Sequence, residues 1–184
     1  MITRPKPAGR DALALDVRAA IRDIPDFPKP GILFKDITPV LSNPVLFTRV
    51  TESQADAAAG LQVTHVVAIE SRGFLFGAPV AQRLGVPLVP VRKPGKLPHR
   101  RVREEYALEY GTDALEMHED AFGIGARILV VDDVLATGGT AAATRRLVEK
   151  VGGIVVAFSF VIDLTFLHGR QLLVGTSVDA IVEY

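Results

Sequence analysis

The stretch Ile128-Leu-Val-Val-Asp-Asp-Val-Leu-Ala-Thr-Gly-Gly-Thr140 holds, in one run, the residue types that binding a sugar phosphate requires. Ile128–Val131 are apolar and read as a buried strand. Asp132 and Asp133 fall at its C-terminal end, where carboxylates can accept hydrogen bonds from vicinal hydroxyls. Ala136, Thr137, Gly138, Gly139 and Thr140 are small, so backbone N–H groups can close on an anion. The helix expected next points its positive end at the same place. Together these form a phosphate cradle beside a diol reader. A plain strand–turn–helix accounts for the glycines but not for the two adjacent acids, which repel and lose solvation unless something binds them. Other phosphate motifs are absent. Gly95-Lys96 is followed by Leu97, and Gly123-Ile-Gly125 lacks a third glycine and precedes a strand.

Three other segments carry chemistry. Glu70-Ser71-Arg72 follows an apolar strand, where backbone N–H groups and a forked guanidinium could grip a pyrophosphate. Phe34 lies in an extended segment pinned by Pro25, Pro28 and Pro30, which could present its ring to a purine, with backbone groups of Leu33 and Lys35 beside it. The third is a charge split. Arg92, Lys93, Lys96, Arg100, Arg101 and Arg103 have no acid among them, whereas residues 104–120 carry seven acids and no Lys or Arg. Long loops of this kind are often lids. The basic half is read as closing on pyrophosphate, with Arg100, Arg101 and Arg103 open to a plain hairpin role. His65, His99, His118 and His168 have no metal-ligand spacing.

These segments need a scaffold. Asp11 can cap a helix through about Asp23, residues 1–10 read as a tail, and residues 11–42 as an N-terminal helix and a proline-pinned segment. Asn43-Pro44 reads as N-cap and first turn of a helix ending near Gly60. Strands are expected at Val63–Ile69, Pro87–Val91, Arg127–Val131, Ile154–Ile162 and Val178–Val182, with helices at Phe74–Leu84 and Ala141–Val151. Residues 92–104 read as a polar loop, followed by short strand-like pieces near Glu105–Tyr110 and Ala114–His118. Apolar strands alternating with helices predict an α/β fold, a mostly parallel twisted sheet covered on both faces. In such sheets ligands sit beyond the C-terminal strand ends.

Composition agrees with one globular domain spanning residues 1–184. Hydrophobic residues are 48% and charged residues 23%, and 21 basic residues balance 21 acidic ones. Neither nucleic acid nor an anionic membrane is an expected partner. The absence of cysteine excludes disulfides and thiolate chemistry and fits a reducing compartment. No segment reaches the roughly 18 apolar residues of a membrane span. The basic start Met1-Ile-Thr-Arg-Pro-Lys-Pro has no apolar stretch behind it, so a cytoplasmic location is expected.

Over all thirteen positions, Ile128–Thr140 resembles the signature of the type I phosphoribosyltransferases. Further segments resemble the adenine-specific branch of that family, in order: Asp26–Leu41, Glu70-Ser-Arg-Gly-Phe-Leu-Phe-Gly77, Val91-Arg-Lys-Pro-Gly-Lys-Leu-Pro98, Leu108-Glu-Tyr-Gly111, and Val161-Ile-Asp-Leu164 with Gly169-Arg170 behind it. The resemblance implies transfer of the phosphoribosyl group of 5-phosphoribosyl-1-pyrophosphate (PRPP) to adenine, giving AMP and pyrophosphate. It implies the type I fold, with a flexible catalytic loop and a small N-terminal hood, which makes the proline-pinned part of residues 11–42 the base-binding segment. It implies Mg²⁺ with Asp132 and Asp133 near it but not ligating directly, and a homodimer. Asp132 and Asp133 would hold the ribose hydroxyls, Ala136–Thr140 the 5-phosphate, and Glu70, Ser71, Arg72, Arg92, Lys93 and Lys96 the pyrophosphate side. The Glu70–Ser71 peptide would be cis. Glu109 would be the acid near purine N7, with Tyr110 beside the reacting centre. Two positions stand out, one that excludes a class and one that departs from the family pattern. Ala136 replaces the Asp usual in 6-oxopurine enzymes, and Asp163 replaces the usual Glu of the last motif. The alternatives are a xanthine or other purine transferase, and a non-catalytic PRPP-sensing regulator that binds nucleic acid.

Overall fold

The computed structural model describes residues 9–107 and 112–184. The chain opens with α1 (Arg10–Ala20), an antiparallel hairpin of β1 (Arg22–Pro25) and β2 (Leu33–Asp36), a single turn α2 (Thr38–Leu41) and α3 (Pro44–Ala57). It continues through β3 (His65–Ile69), α4 (Gly73–Leu84) and β4 (Leu88–Val91) to a second antiparallel hairpin, β5 (Arg101–Ala107) and β6 (Thr112–His118). Then come β7 (Arg127–Leu135), α5 (Gly139–Lys150), β8 (Ile154–Asp163), two 3₁₀ turns at Thr165–Leu167 and Gly169–Leu173, and β9 (Ser177–Glu183).

The predicted α/β fold is present. Five strands form one all-parallel sheet in the order β4-β3-β7-β8-β9. Successive residues point to opposite faces, and both faces are buried. Val66, Leu129 and Val131 pack with Val17, Val50, Phe76 and Val80 from α1, α3 and α4. Val67, Ile128 and Val130 pack on the other side with Leu147 and Val148 of α5 and with Tyr106, Leu115 and Met117 of the β5–β6 hairpin. The second face therefore has one helix, and the hairpin completes the cover. Each fully buried Val, Leu, Ile or Phe contributes about 1.5–3 kcal/mol, so this double layer is what holds the strand ends in place.

Helix boundaries follow capping chemistry. The Asn43 side chain accepts from Leu46 N at 3.0 Å with Pro44 in the first turn, and Gly85 closes α4 in the left-handed region at φ 67°. The N-terminal expectation needs correction. α1 starts at Arg10, inside the stretch read as a tail, with Gly9 rather than a side chain at its cap. Arg10 is buried because its guanidinium pairs with Asp179 at 2.5 Å and donates to Ala180 O at 3.0 Å, both on β9. Arg18 likewise donates to Glu183 O. The helix stops at Ala20 because residues 22–25 pair with 33–36. The prolines bar helix there but leave a strand on either side of their loop.

Candidate active site

β3 runs out to one edge through α4 to β4, and the chain then returns to lay β7 on the other side of β3. The strand order reverses between β3 and β7, which is where an open parallel sheet leaves a crevice. The β3–β7 ladder ends at Ala68↔Val131, while β7 stays paired with β8 as far as Leu135↔Asp163. Asp132 and Asp133 thus lie within β7 rather than just past its end, on the stretch that β3 has released. Gly73 makes this crossing possible. A Cβ there would stand 2.8 Å from Asp132 Oδ1 and 2.9 Å from Val131 O.

The crevice holds about 450 Å³. Leu33, Phe34 and Lys35 of β2 line one wall, Glu70, Ser71 and Arg72 another, and Asp132, Asp133, Ala136 and Thr140 a third. A smaller hollow of about 70 Å³ opens inside the loop, walled by Ala136, Thr137, Gly138, Gly139 and Thr140. Gly138 is left-handed at φ 83° and caps α5, so the helix N-terminus and the loop's N–H groups share one place.

The paired acids are unequal. Asp133 is 4% exposed and accepts from Arg72 Nε, and its own N–H donates to Asp132 Oδ1 at 2.9 Å. Burial, and then the charge of Asp133, push the Asp132 carboxyl well above the ordinary value. Arg72 reaches across the crevice. Its guanidinium centre lies 5.7 Å from the centroid of the Phe34 ring while it holds Asp133.

The basic residues are gathered by acids of the protein itself. Glu70 accepts from Arg92 Nε at 3.1 Å, from Lys93 N at 2.9 Å and from Lys96 Nζ. Burial works to raise the Glu70 carboxyl, but these donors outweigh it and hold it at about 2. Lys93 lines the crevice, bonded to Asp113 and to the Tyr106 hydroxyl at 3.3 Å. Arg92 and Lys96 do not line it; they stand behind Glu70 at its rim. Glu70–Ser71 is a cis peptide, as the resemblance implies.

On the hood, Phe34 is braced edge-on by Phe27, with ring centroids 5.1 Å apart. The Lys35 ammonium is turned away from the crevice and occupied. It pairs with Asp23 at 2.6 Å across the β1–β2 ladder and lies 4.0 Å from the centroid of the Tyr184 ring. Only the backbone of this segment is left for hydrogen bonding to a ligand.

The structure thus brings Leu33, Phe34, Lys35, Glu70, Ser71, Arg72, Lys93, Asp132, Asp133 and residues 136–140 around one crevice and its hollow. Glu109 and Tyr110 lie outside the described residues. Four further lining residues, Ile32, Tyr106, Val134 and Leu164, are not among the candidate site residues named from sequence. Tyr106 had a signal in the alternation Val102–Glu104–Tyr106 along one face of β5. The charge split resolves into pairing within and around the hairpin. Arg101 meets Glu116 at 3.0 Å, and Arg103 meets Glu105 at 3.0 Å.

Among the described residues, no group of three His, Asp or Glu side chains could cage a metal. Two adjacent carboxylates beside a hollow of small residues do suit Mg²⁺, which prefers oxygen ligands and keeps several waters.

Residues 46–164 match the family model for the phosphoribosyl transferase domain. The adenine phosphoribosyltransferase of Myxococcus xanthus is 58% identical over 170 residues, 92% of each chain. The crystal structure of adenine phosphoribosyltransferase from Thermoanaerobacter pseudethanolicus superposes with a TM-score of 0.91 at 52% identity, covering 93% of this chain and 99% of that one. The Saccharomyces cerevisiae enzyme, solved with adenine and an imino-altritol bisphosphate, superposes with a TM-score of 0.88 at 38% identity, covering 93% and 99%.

Proposed function

Since the chain belongs to the adenine phosphoribosyltransferase family, we infer that it makes AMP and pyrophosphate from adenine and PRPP by displacement at ribose C1, with inversion, in purine salvage. One observation carries this reading. A pair of acids on β7 and an aromatic wall line one crevice at the strand-order reversal, and a hollow of small residues opens beside it.

The residues divide the work by charge and shape. Phe34 stacks on the purine, and the backbone of Leu33 and Lys35 reads its edge. Asp132 and Asp133 accept from the ribose hydroxyls. Ala136–Thr140 and the N-terminus of α5 hold the 5-phosphate. Ser71, Arg72 and Lys93 face the pyrophosphate, with Glu70 keeping Arg92 and Lys96 at the rim for it. Arg72 also shields Asp133. Glu109 is assigned to purine N7, where it takes the proton the base gives up as N9 bonds to ribose C1 and returns it, as the acid, in the reverse direction; Tyr110 is assigned to shielding the reacting centre or touching the ribose. Charge develops on the departing pyrophosphate and on the sugar, so the chain contributes position and fixed electrostatics, with no covalent nucleophile. Asp132 and Asp133 would hold Mg²⁺ nearby without ligating it directly, and the ion would supply positive charge against the departing pyrophosphate.

We further propose a homodimer, carried over from the family, and a cytoplasmic location. Among the described residues no helix is long and apolar enough to cross a membrane.

The test is pyrophosphate release from PRPP and Mg²⁺ with adenine, hypoxanthine, guanine and xanthine in parallel. Release with adenine alone is expected. Release with xanthine would move the base assignment and remove the role given to Phe34. PRPP binding with no release for any base would make the protein a regulator.

A further inference from the structure

We infer that the turn His168-Gly169-Arg170 is the backing that keeps the phosphate loop in its binding shape, so that Gly169 and Arg170 are positioning residues for the 5-phosphate of PRPP. The inference rests on reading Ala136–Thr140 as the 5-phosphate cradle.

The contact is backbone on backbone. A Cβ at Gly138 would collide with the carbonyl oxygen of Gly169 and stand 3.1 Å from its Cα. In return, a Cβ at Gly169 would collide with Ala136 O and stand 3.0 Å from Gly138 N and 3.1 Å from Leu135 Cδ1. Neither side has room for a methyl group. The turn does not wall the hollow, whose lining runs through Ala136–Thr140. It presses on the loop from outside and touches no ligand.

The turn is itself anchored from two directions. Arg170 Nε donates to Asp163, and Arg170 Nη2 donates to Glu183 Oε1 at 2.6 Å. Asp163 is 1% exposed and closes β8, directly beside Leu135 at the end of β7. From the other direction Arg145 of α5 donates to Leu172 O at 2.8 Å. The turn is thereby tied to the sheet that carries the paired acids and to the helix whose N-terminus faces the phosphate.

A loop of small residues has little of its own to stop it relaxing, and glycine loses more freedom on ordering than any other residue. Its N–H groups converge on an anion without a reorganisation cost only if something outside holds them. This gives the last sequence motif a role, and it shows what Asp163 does despite its shorter reach. It secures Arg170 instead of meeting substrate.

The test compares wild type with Gly169→Ala, Arg170→Gln and Arg170→Lys. Readouts are steady-state constants for each substrate and calorimetric binding of ribose 5-phosphate. Gly169→Ala is expected to raise the PRPP KM about tenfold or more and to weaken ribose 5-phosphate to match, leaving the adenine KM within about twofold. Arg170→Gln, which introduces no clash, should raise the PRPP KM roughly threefold to tenfold, and Arg170→Lys should recover most of it. Partial unfolding alone would lower kcat by removing active molecules and would leave KM unchanged. Wild-type PRPP KM and ribose 5-phosphate affinity in Arg170→Gln would overturn the inference, as would equal losses for adenine and PRPP. Failure of the wild type itself to bind ribose 5-phosphate would overturn the cradle reading, and this inference with it.

Discussion

Asp132 holds its proton more tightly than an ordinary carboxyl because it is buried and because Asp133 faces it. Ribose hydroxyls and a nearby cation prefer the ionised form, so binding of Mg²⁺ and PRPP should release a proton from Asp132. PRPP affinity should therefore rise with pH over the range in which free Asp132 titrates. Calorimetry in two buffers of different ionisation enthalpy reads the proton directly, and Asp132→Asn should abolish its release. Asp133→Asn is expected to weaken PRPP roughly 10- to 100-fold, as the loss of charge-assisted hydrogen bonds does. It should cost little stability, because the repulsion with Asp132 goes too; a thermal melt alongside a binding isotherm checks both halves. These two acids were legible from sequence alone, because adjacent carboxylates closing an apolar strand repel each other unless a ligand or cation offsets the charge. The partner of Arg72 was not. Nothing in Glu70-Ser-Arg-Gly73 says that the guanidinium turns to Asp133, 61 residues away in the chain.

At the scale of elements, the hood is the piece that places the Phe34 wall of the crevice. Lys35 is gripped by Asp23 and by the face of Tyr184, whose other cation is Arg18, 4.3 Å from the ring centroid. Tyr184 is itself held by its N–H on Asp163 O at 2.9 Å. The hood is thus tied to the sheet through one aromatic ring, by contacts of about 0.5–2 kcal/mol. Tyr184→Ala is expected to raise the adenine KM several-fold with the PRPP KM little changed, and Tyr184→Phe to behave as wild type; initial-rate kinetics with each substrate varied would show it. The central strands and flanking helices could be read from long apolar runs bounded by Gly, Pro and Asn. The β1–β2 hairpin could not. Its strands are four residues each and partly exposed, so neither alternation nor burial marks them. The β5–β6 hairpin announced itself as a charge asymmetry, but only the fold shows which Arg meets which Glu.

Over the whole molecule, the acid limb of stability has an identifiable source. Glu70 is held at about 2, against 4.5 for a free glutamate, and its side chain is 10% exposed. A lowered folded value means the stabilisation is fully present above about pH 4.5 and is lost as pH falls toward 2. Glu104, held low by Lys150 and Arg146, and Asp113, held low by Lys93, titrate in the same direction. Urea unfolding at pH 7 and pH 3 should therefore show a marked loss for wild type and a smaller one for Glu70→Gln. Equal losses would remove Glu70 as the source.

The two borders of the sheet have a consequence for how this protein behaves in a crowd. A parallel sheet that is not closed into a barrel ends in two strands, each offering backbone groups to any passing segment. Here β4 gives way at Arg92 to a two-way backbone exchange with Glu116 of β6, and β9 has the guanidinium groups of Arg10 and Arg18 on its carbonyls. At those positions another part of the same chain already occupies the backbone groups that an incoming strand would use. Detachment of α1 would free the two β9 carbonyls that Arg10 and Arg18 occupy, so loosening that docking is expected to lower solubility at high concentration.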